Sequence, residues 1–442
     1  MFSAIVRIFR TPDLRRKIAF TLGIIVLYRL GAAVPTPFVD YPNVQACIDL
    51  SAGTEGLLSL VNLFSGGALL QLSIFALGVM PYITATIIVQ LLRVVIPHFE
   101  TLYKEGQAGQ AKLTQYTRYL TIALALLQST TLVTVARSGQ LFGVTGIPEC
   151  EQLLTNDVWW AQLLMIMTMT AGTGLIMWFA ELVTERGVGN GMSLLIFTSI
   201  AATFPQSLWA IGQNENLGYG VMAIVIAVGL VIVAAVIFIE QSQRRVPVQY
   251  AKKMIGRRVY GGSSTYIPMK VNMAGVIPII FASSMLYIPA LIAQFNTPPP
   301  GEVPPDWVVW INDHLVRGDH PLYITMYFFL IIFFTYFYVS ITFNPDEIAD
   351  NIKRAGGFIP GIRAGKPTAD YLAKILDRIT LPGSLYLGIV ALIPLIALVL
   401  VNANQNFPFG GTSLLIIVGV GLETVKQIES QLQQRHYEGF LR

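Results

Sequence analysis

Long apolar runs, broken by short polar ones, set the rhythm of this chain. Ten of them approach the roughly 20 mostly apolar residues that a membrane-spanning helix needs: 18–36, 74–96, 115–137, 157–180, 188–205, 219–240, 272–293, 322–343, 380–401 and 412–428. Glu423 and Lys426 interrupt the last run. One region departs from the rhythm. From 59 to 92 there are 34 consecutive uncharged residues, too many for one span and too few for two with a turn. Gly66-Gly67, inside LVNLFSGGALLQLSIFAL (60–77), divides this stretch and predicts a short half-helix about the glycines, with a span proper starting near Ser73. A re-entrant piece of this kind cannot face lipid, because its helix ends would leave backbone groups unpaired. It belongs in protein or in a water-filled cavity.

Composition agrees with this pattern. Of 442 residues, 54% are hydrophobic and only 12% charged, and the mean hydropathy is +0.61. A soluble domain carries roughly twice that charged fraction, so the chain reads as an all-α integral membrane protein. The N-terminal MFSAIVRIFRTPDLRRK lacks a small-residue cleavage site and reads as a retained amphipathic helix leading into span one. Basic residues give the orientation. Arg7, Arg10, Arg15, Arg16 and Lys17 precede span one, whereas the 37–73 connection has no Lys or Arg. With the N-terminus in the cytoplasm, every one of the 29 Lys and Arg falls on the cytoplasmic side except Arg29, within span one, and Arg137 and Arg317, outside. That is the positive-inside pattern, and it predicts ten spans with both ends cytoplasmic. Cys47 and Cys150 both fall in external connections, where an oxidising compartment permits a disulfide. Spacing leaves a bond and two free thiols equally open.

Ten spans divide into five and five at the polar external loop IGQNENLGYG (211–220), giving an N-terminal half, 1–210, and a C-terminal half, 211–442. An odd number per half means that the second enters the membrane inverted, as in inverted-topology repeats; ten helices without symmetry would satisfy the same count. Two cytoplasmic loops exceed what a turn requires. The first, 241–270, carries seven basic residues and no acid, and VPVQY and RRVY around Gly261-Gly262 predict a projecting β-ribbon. The second, 344–378, contains GGFIPGIRAGKPT, where Gly and Pro stiffen a turn around Arg363. Structured loops of this length point to docking sites for a cytoplasmic partner, and a net charge of +4 suits something acidic, such as RNA or an acidic protein face.

Catalytic chemistry finds little support. His98, His314, His320 and His436 lie in loops or the tail, and no HExxH, GxSxG or Cys/His metal spacing occurs. The glycines of ERGVGNGMS (185–193) follow no strand, and a flexible connection into span five is the reading that remains. An ion-coupled transporter would need ionisable groups within the spans, each costing about 2.5–3.5 kcal/mol at mid-membrane. Here Arg29 lies near the outer end of span one and could snorkel, while Glu181 and Glu240 sit at cytoplasmic ends. A pore closed by apolar side chains is what is left. Thr84, Gln128 and Asn272 lie at comparable depth on three spans, where an interhelical hydrogen bond is worth about 0.6 kcal/mol. That suits either a seam that opens or ordinary polar packing.

The strings FSGGAL, SIFALGVMPYITATIIVQLL, QYTRYLT, TERGVGNGMSLLIF, QRRVPVQYAKK, GRRVYGGSSTYIPMKVNMAGVIPIIFASS, FNPDEIADNIKRAGGFIPGIRAGKPTADYL and FGGTSLLI resemble the SecY family, the large channel subunit of the bacterial Sec translocon. The resemblance runs from span one to span ten. It implies a non-enzymatic protein-conducting channel in a bacterial plasma membrane, with two inverted five-helix halves around an hourglass pore. Unfolded secretory chains would cross it, and hydrophobic segments would leave sideways into lipid. By the family's motifs the pore ring is Val79, Ile83, Met192, Ile196, Ile280 and Ile416. Val79 and Met192 depart from the family's isoleucine-rich habit; a flexible thioether should still seal, while valine leaves more room.

The same resemblance makes the half-helix at 60–72 a plug in the outer funnel, including Asn62, Phe64, Ser65, Gly66, Gly67 and Ala68, held by packing rather than by charge. It places a lateral gate between spans two and three on one side and seven and eight on the other, with Thr84, Gln128 and Asn272 near it. Arg244, Arg245, Arg257, Arg258 and Arg363 become the docking surface for the SecA motor ATPase and for the ribosome with its rRNA. SecE and SecG are the implied small membrane partners, and signal peptides, nascent chains and membrane lipids the implied ligands. No cofactor or metal is expected.

Overall fold

The computed structural model describes residues 11–50, 65–137, 141, 150, 153–155, 158–213, 218–250, 253–255, 258–260, 264–296, 304–316, 320–401 and 411–438. Its helices are α1 (Pro12–Ala33), α2 (Tyr41–Leu50), α3 (Met80–Val95), α4 (Pro97–Lys104), α5 (Gln107–Arg137), α6 (Trp159–Arg186), α7 (Gly191–Gln213) and α8 (Gly218–Gln241). They continue as α9 (Ile277–Phe295), α10 (Asp306–Ile311, running into a π turn at Asn312–Val316), α11 (Pro321–Thr342), α12 (Pro345–Arg354), α13 (Lys366–Val401) and α14 (Gly411–Glu438). Proline at the first or second position starts α1, α3, α4, α11 and α12. Its fixed φ suits a first turn whose N–H would be unpaired anyway. The expected residues Asn62, Phe64, Arg257, Gly261, Gly262 and Arg317, and the first ten residues, lie outside the described ones.

Among the described residues, four helical runs are long and apolar enough to cross a membrane: Gln107–Arg137, Trp159–Arg186, Pro321–Arg354 and Lys366–Ile393. A fifth results if Met80–Arg93 and Pro97–Lys104, bent by 98°, count as one. Gly191–Pro205, Ile226–Gln241 and Ile277–Leu286 are shorter apolar helices. Large apolar side chains point outward on several of them, among them Leu22 and Leu30 on α1, Trp159 and Met167 on α6, and Phe329 and Phe333 on α11. Lipid can cover such faces. Helices α3, α5, α6 and α7 pack on one another, α9, α11 and α13 do the same, and α14 bridges α7, α8 and α13. Without a hydrophobic drive between helices in lipid, close packing supplies the adhesion, so small residues matter. Gly172 on α6 lies against the Ile74 carbonyl, where any Cβ would collide.

Two predicted spans open with five or more non-helical residues. Residues 74–79 form turns, with Ala76 N donating to Ser73 O and Gly78 N to Phe75 O, so α3 starts only at Met80. Gly78 at φ 56 breaks the helical path. Likewise, residues 271–276 are a non-helical approach to α9, with Gly275 at φ 63.

The long basic loop forms the expected ribbon with a different pairing. β1 (Gln243–Tyr250) pairs antiparallel with β4 (Ser264–Lys270), from Gln243↔Lys270 to Gln249↔Ser264, whereas RRVY belongs to a short pair, β2 (Lys253–Ile255) with β3 (Arg258–Tyr260). β5 (Gly357–Phe358), from the second long loop, adds to the free edge of β1. The alternation turns Val246, Val248 and Met269 into a second apolar core with Phe343, Ile352, Ile359, Leu372 and Ile375. Both loops therefore belong to one packed unit. Asn344 caps α12 by accepting from the N–H groups of Asp346 (3.2 Å) and Glu347 (3.4 Å).

Between the connections that carry the two cysteines, Asp40 N donates to Leu153 O and Thr155 N to Phe38 O, aligning them. Cys47 and Cys150 form a disulfide there, with Cα atoms 5.5 Å apart. A thiol-reactive polymer should therefore leave the mobility of denatured, unreduced protein unchanged on a gel, and shift it after reduction. Cys47→Ser should expose Cys150 to the reagent without reductant; labelling of the unreduced wild type would rule the bond out.

Candidate functional site

The connection between α6 and α7 decides where Met192 and Ile196 sit. The glycines of ERGVGNGMS suggest flexibility, yet side chains hold the backbone. Val188 N donates to Thr21 Oγ1 on α1 (3.2 Å), and Gly191 N to Thr184 Oγ1 on α6 (2.9 Å). Asn190 Oδ1 accepts from Met192 N (3.1 Å) and Ser193 N (3.4 Å), capping α7. The expectation of a flexible connection is corrected by these four bonds.

Ser65 is helical, and residues 66–79 then run as successive turns interrupted by a bridge at Ser73. Gly66 and Gly67 have φ of 70° and 90°, and Leu72 has φ 46°, left-handed values that no helix continues through. Leu72 is held there by its carbonyl, which accepts from both the N–H (3.0 Å) and the Oγ1 (2.8 Å) of Thr36. Ile74 N donates to Val34 O beside it (3.0 Å). Near the glycines, Arg29 Nη1 donates to Gly66 O (3.0 Å). Arg29 therefore does not simply snorkel, and the segment is not held by packing alone: the guanidinium projecting from α1 meets a backbone carbonyl. Ser65, Gly66 and Ala68 are buried and Gly67 is half-buried.

Val79, Ile83 on α3, Ile196 on α7, Ile280 on α9 and Ile416 on α14 are all buried in one apolar core, and half-buried Met192 packs against it. They lie on elements that pack together, α3 with α9 and α7 with α14.

The three polar residues behave differently. Thr84 Oγ1 donates to Met80 O on its own helix (2.9 Å), and Gln128 is half-buried on α5. Buried Asn272 donates to Glu240 Oε1 (2.6 Å) and Gly275 O (3.1 Å) and accepts from Gly275 N (3.0 Å), tying the end of α8 to the approach to α9. Among the described residues, no hydrogen bond joins one of the three to another. A residue that charge counting treats only as an orientation signal bridges the helix groups instead. Arg93 on α3 donates to Ile341 O near the end of α11 (3.3 Å), its guanidinium 3.8 Å over the Tyr103 ring. Only the folded packing reveals it.

Arg244, Arg245 and Arg363 are exposed, with Arg245 stacked 4.8 Å over Tyr266; Arg258 lies on β3. Thr368 Oγ1 donates to Arg363 O (2.8 Å), closing the turn that presents Arg363. No group of three or more His, Cys, Asp or Glu is placed to hold a metal among the described residues.

The long apolar helices and their packing define a multi-pass α-helical membrane protein whose fold resembles that of solved protein-conducting channels. A solved channel described as having a plug domain that stabilises the closed state and maintains a membrane seal aligns with a TM-score of 0.60, at 20% identity, over 94% of this chain and 91% of its own. Canine Sec61, from a ribosome–channel complex of the endoplasmic reticulum, aligns with a TM-score of 0.57, at 18% identity, over 94% and 91%. The chain belongs to the SecY family, whose family model matches residues 73–425. It is 64% identical to the protein translocase subunit SecY of Streptomyces scabiei over the full length of both chains.

Because Asn190 both caps α7 and sets the turn that carries Met192 and Ile196, Asn190→Ala should destabilise the protein by about 1 kcal/mol. Thermal unfolding in detergent should show the midpoint fall, and Asn190→Ser should restore most of it.

Proposed function

We propose that this chain is the channel-forming subunit of a protein translocase, passing unfolded secretory polypeptides across a bacterial plasma membrane and releasing apolar segments sideways into lipid. The observation that carries the proposal is the burial of Val79, Ile83, Ile196, Ile280 and Ile416 in one apolar core with Met192 packed against it, which this reading takes as the channel's apolar junction. A constriction of this kind seals by excluding water. It carries no hydrogen-bonding pattern, so it can fit any polypeptide. The 64% identity to a protein translocase subunit supports the same reading.

In this proposal ten spans, with both termini cytoplasmic, form two inverted halves at 1–210 and 211–442 around an hourglass pore, and the junction is its waist. Residues 60–72 are the plug. The lateral gate is the seam that brings α3 and α5 towards α9 and α11, with Thr84, Gln128 and Asn272 near it; Arg93 on Ile341 O supports a seam closed by few polar contacts. Arg244, Arg245, Arg257, Arg258 and Arg363 dock the ribosome or the SecA motor, which supplies the driving force in place of an ion relay. SecE and SecG complete the assembly, and the chain itself is not an enzyme.

Photo-crosslinkers at Ile83, Ile196 and Ile280 should capture a precursor arrested in transit in the reconstituted complex. Capture only at peripheral positions such as Trp159 would sink the pore reading, and coupled counterflow of a small solute would replace it with a transporter. Arg363→Glu should slow partner-driven translocation several-fold without impairing membrane insertion, while charge reversal at Lys270 has a smaller effect. Wild-type rates in the Arg363 variant would remove it from the docking surface.

A further inference from the structure

A permanently charged side chain inside a span is costly and persists where it has a task. Arg29 has no carboxylate partner among the described residues. Its guanidinium is directed instead at the carbonyl of Gly66. The surroundings are built for that contact. Tyr28, the preceding residue on α1, is fully buried and shares a 2.7 Å hydrogen bond with Ser199 on α7, fixing the turn from which Arg29 projects. Gly66 lies against the same Ser199. A Cβ at Gly66 would sit 3.0 Å from Ser199 Cα and 2.9 Å from Arg29 Nη1, on a backbone at φ 70° that side chains disfavour.

The two ends of the segment are held differently. At 72–74 the chain is rooted by backbone pairing to Val34 and Thr36. At Gly66 a charge-assisted hydrogen bond does the holding, a bond that can break and re-form without unfolding either partner. Withdrawal of Gly66 strips Arg29 of this acceptor within the span until water reaches it, so the seated state is favoured until the outer cavity is opened and wetted.

We propose that Arg29 is the positioning residue that holds the plug in its seat, setting how rarely the resting channel opens. This rests on the reading of 60–72 as the plug. The test measures ion leak through the full chain, reconstituted in proteoliposomes with the membrane subunits that copurify with it. Arg29→Leu should raise the leak roughly tenfold or more, the population shift that loss of one charge-assisted bond supports. Gly66→Ala, which leaves Arg29 intact, should raise it too, and Arg29→Lys should recover part of the seal.

The decisive comparison places Arg29→Leu in a chain lacking 62–70. No added leak in that background supports the seat, because the residue then has nothing to hold. An equal rise in both backgrounds assigns Arg29 to general packing and overturns the proposal. If the deletion leaks while Arg29→Leu alone remains sealed, the plug reading stands and Arg29 is not its holder. If neither change leaks, the plug reading fails, and this proposal with it.

Discussion

In lipid, a backbone N–H or C=O without a partner costs several kcal/mol, and that one constraint organises this structure. Helices satisfy it internally. The segment 65–79 does not, since its turns leave carbonyls and amides that no helix pairs. Its position follows from where those groups find partners: Thr36 and Val34 take Leu72 and Ile74, and Arg29 takes Gly66. Irregular chain is therefore enclosed between α1, α6 and α7. The left-handed Leu72 persists because two donors converge on its carbonyl.

The same constraint separates what is rigid from what can part. The Asn190 cap, the Thr21 and Thr184 contacts and the Cys47–Cys150 bond fix parts of the α1–α7 region by directional or covalent links. Ile83, Ile196, Ile280 and Ile416, by contrast, are buried in the apolar core that these helices share. Apolar side chains lose little when they separate in lipid or against a passing apolar segment, because neither side leaves a polar group stranded. Directional bonds hold parts of each helix group, and between the groups apolar packing is joined by the Arg93 bond to Ile341 O.

The two long loops extend this logic beyond the membrane-length helices. There the hydrophobic effect operates fully, so Val246, Val248, Met269, Ile352, Ile359 and Leu372 form a small conventional core. With that core packed, β5 on the edge of β1 links loops that are about a hundred residues apart in sequence. Arg244, Arg245 and Arg363 are thereby displayed from a framed surface rather than from loose chain.

Apolar runs by themselves determined most helix positions, because lipid demands length and apolarity whatever the neighbours are: α8 matches its predicted span within a residue at each end, and α11 does so too. The break at Gly66-Gly67 was equally legible, since the arithmetic of a 34-residue uncharged stretch requires one. The six pore-ring residues were expected only through resemblance, as an isoleucine in a span looks the same facing lipid, a neighbour or a pore. Three matters were decided by tertiary structure alone: β1 takes STYIPMK rather than RRVY as its partner, Cys47 meets Cys150, and Arg29 reaches Gly66. Each depends on distances between residues far apart in the chain. Hydrophobic periodicity records which environment a residue needs, but a strand partner, a sulfur or a carbonyl is chosen by what the packed helices bring within about 3 Å for a hydrogen bond or about 6 Å between Cα atoms for a disulfide.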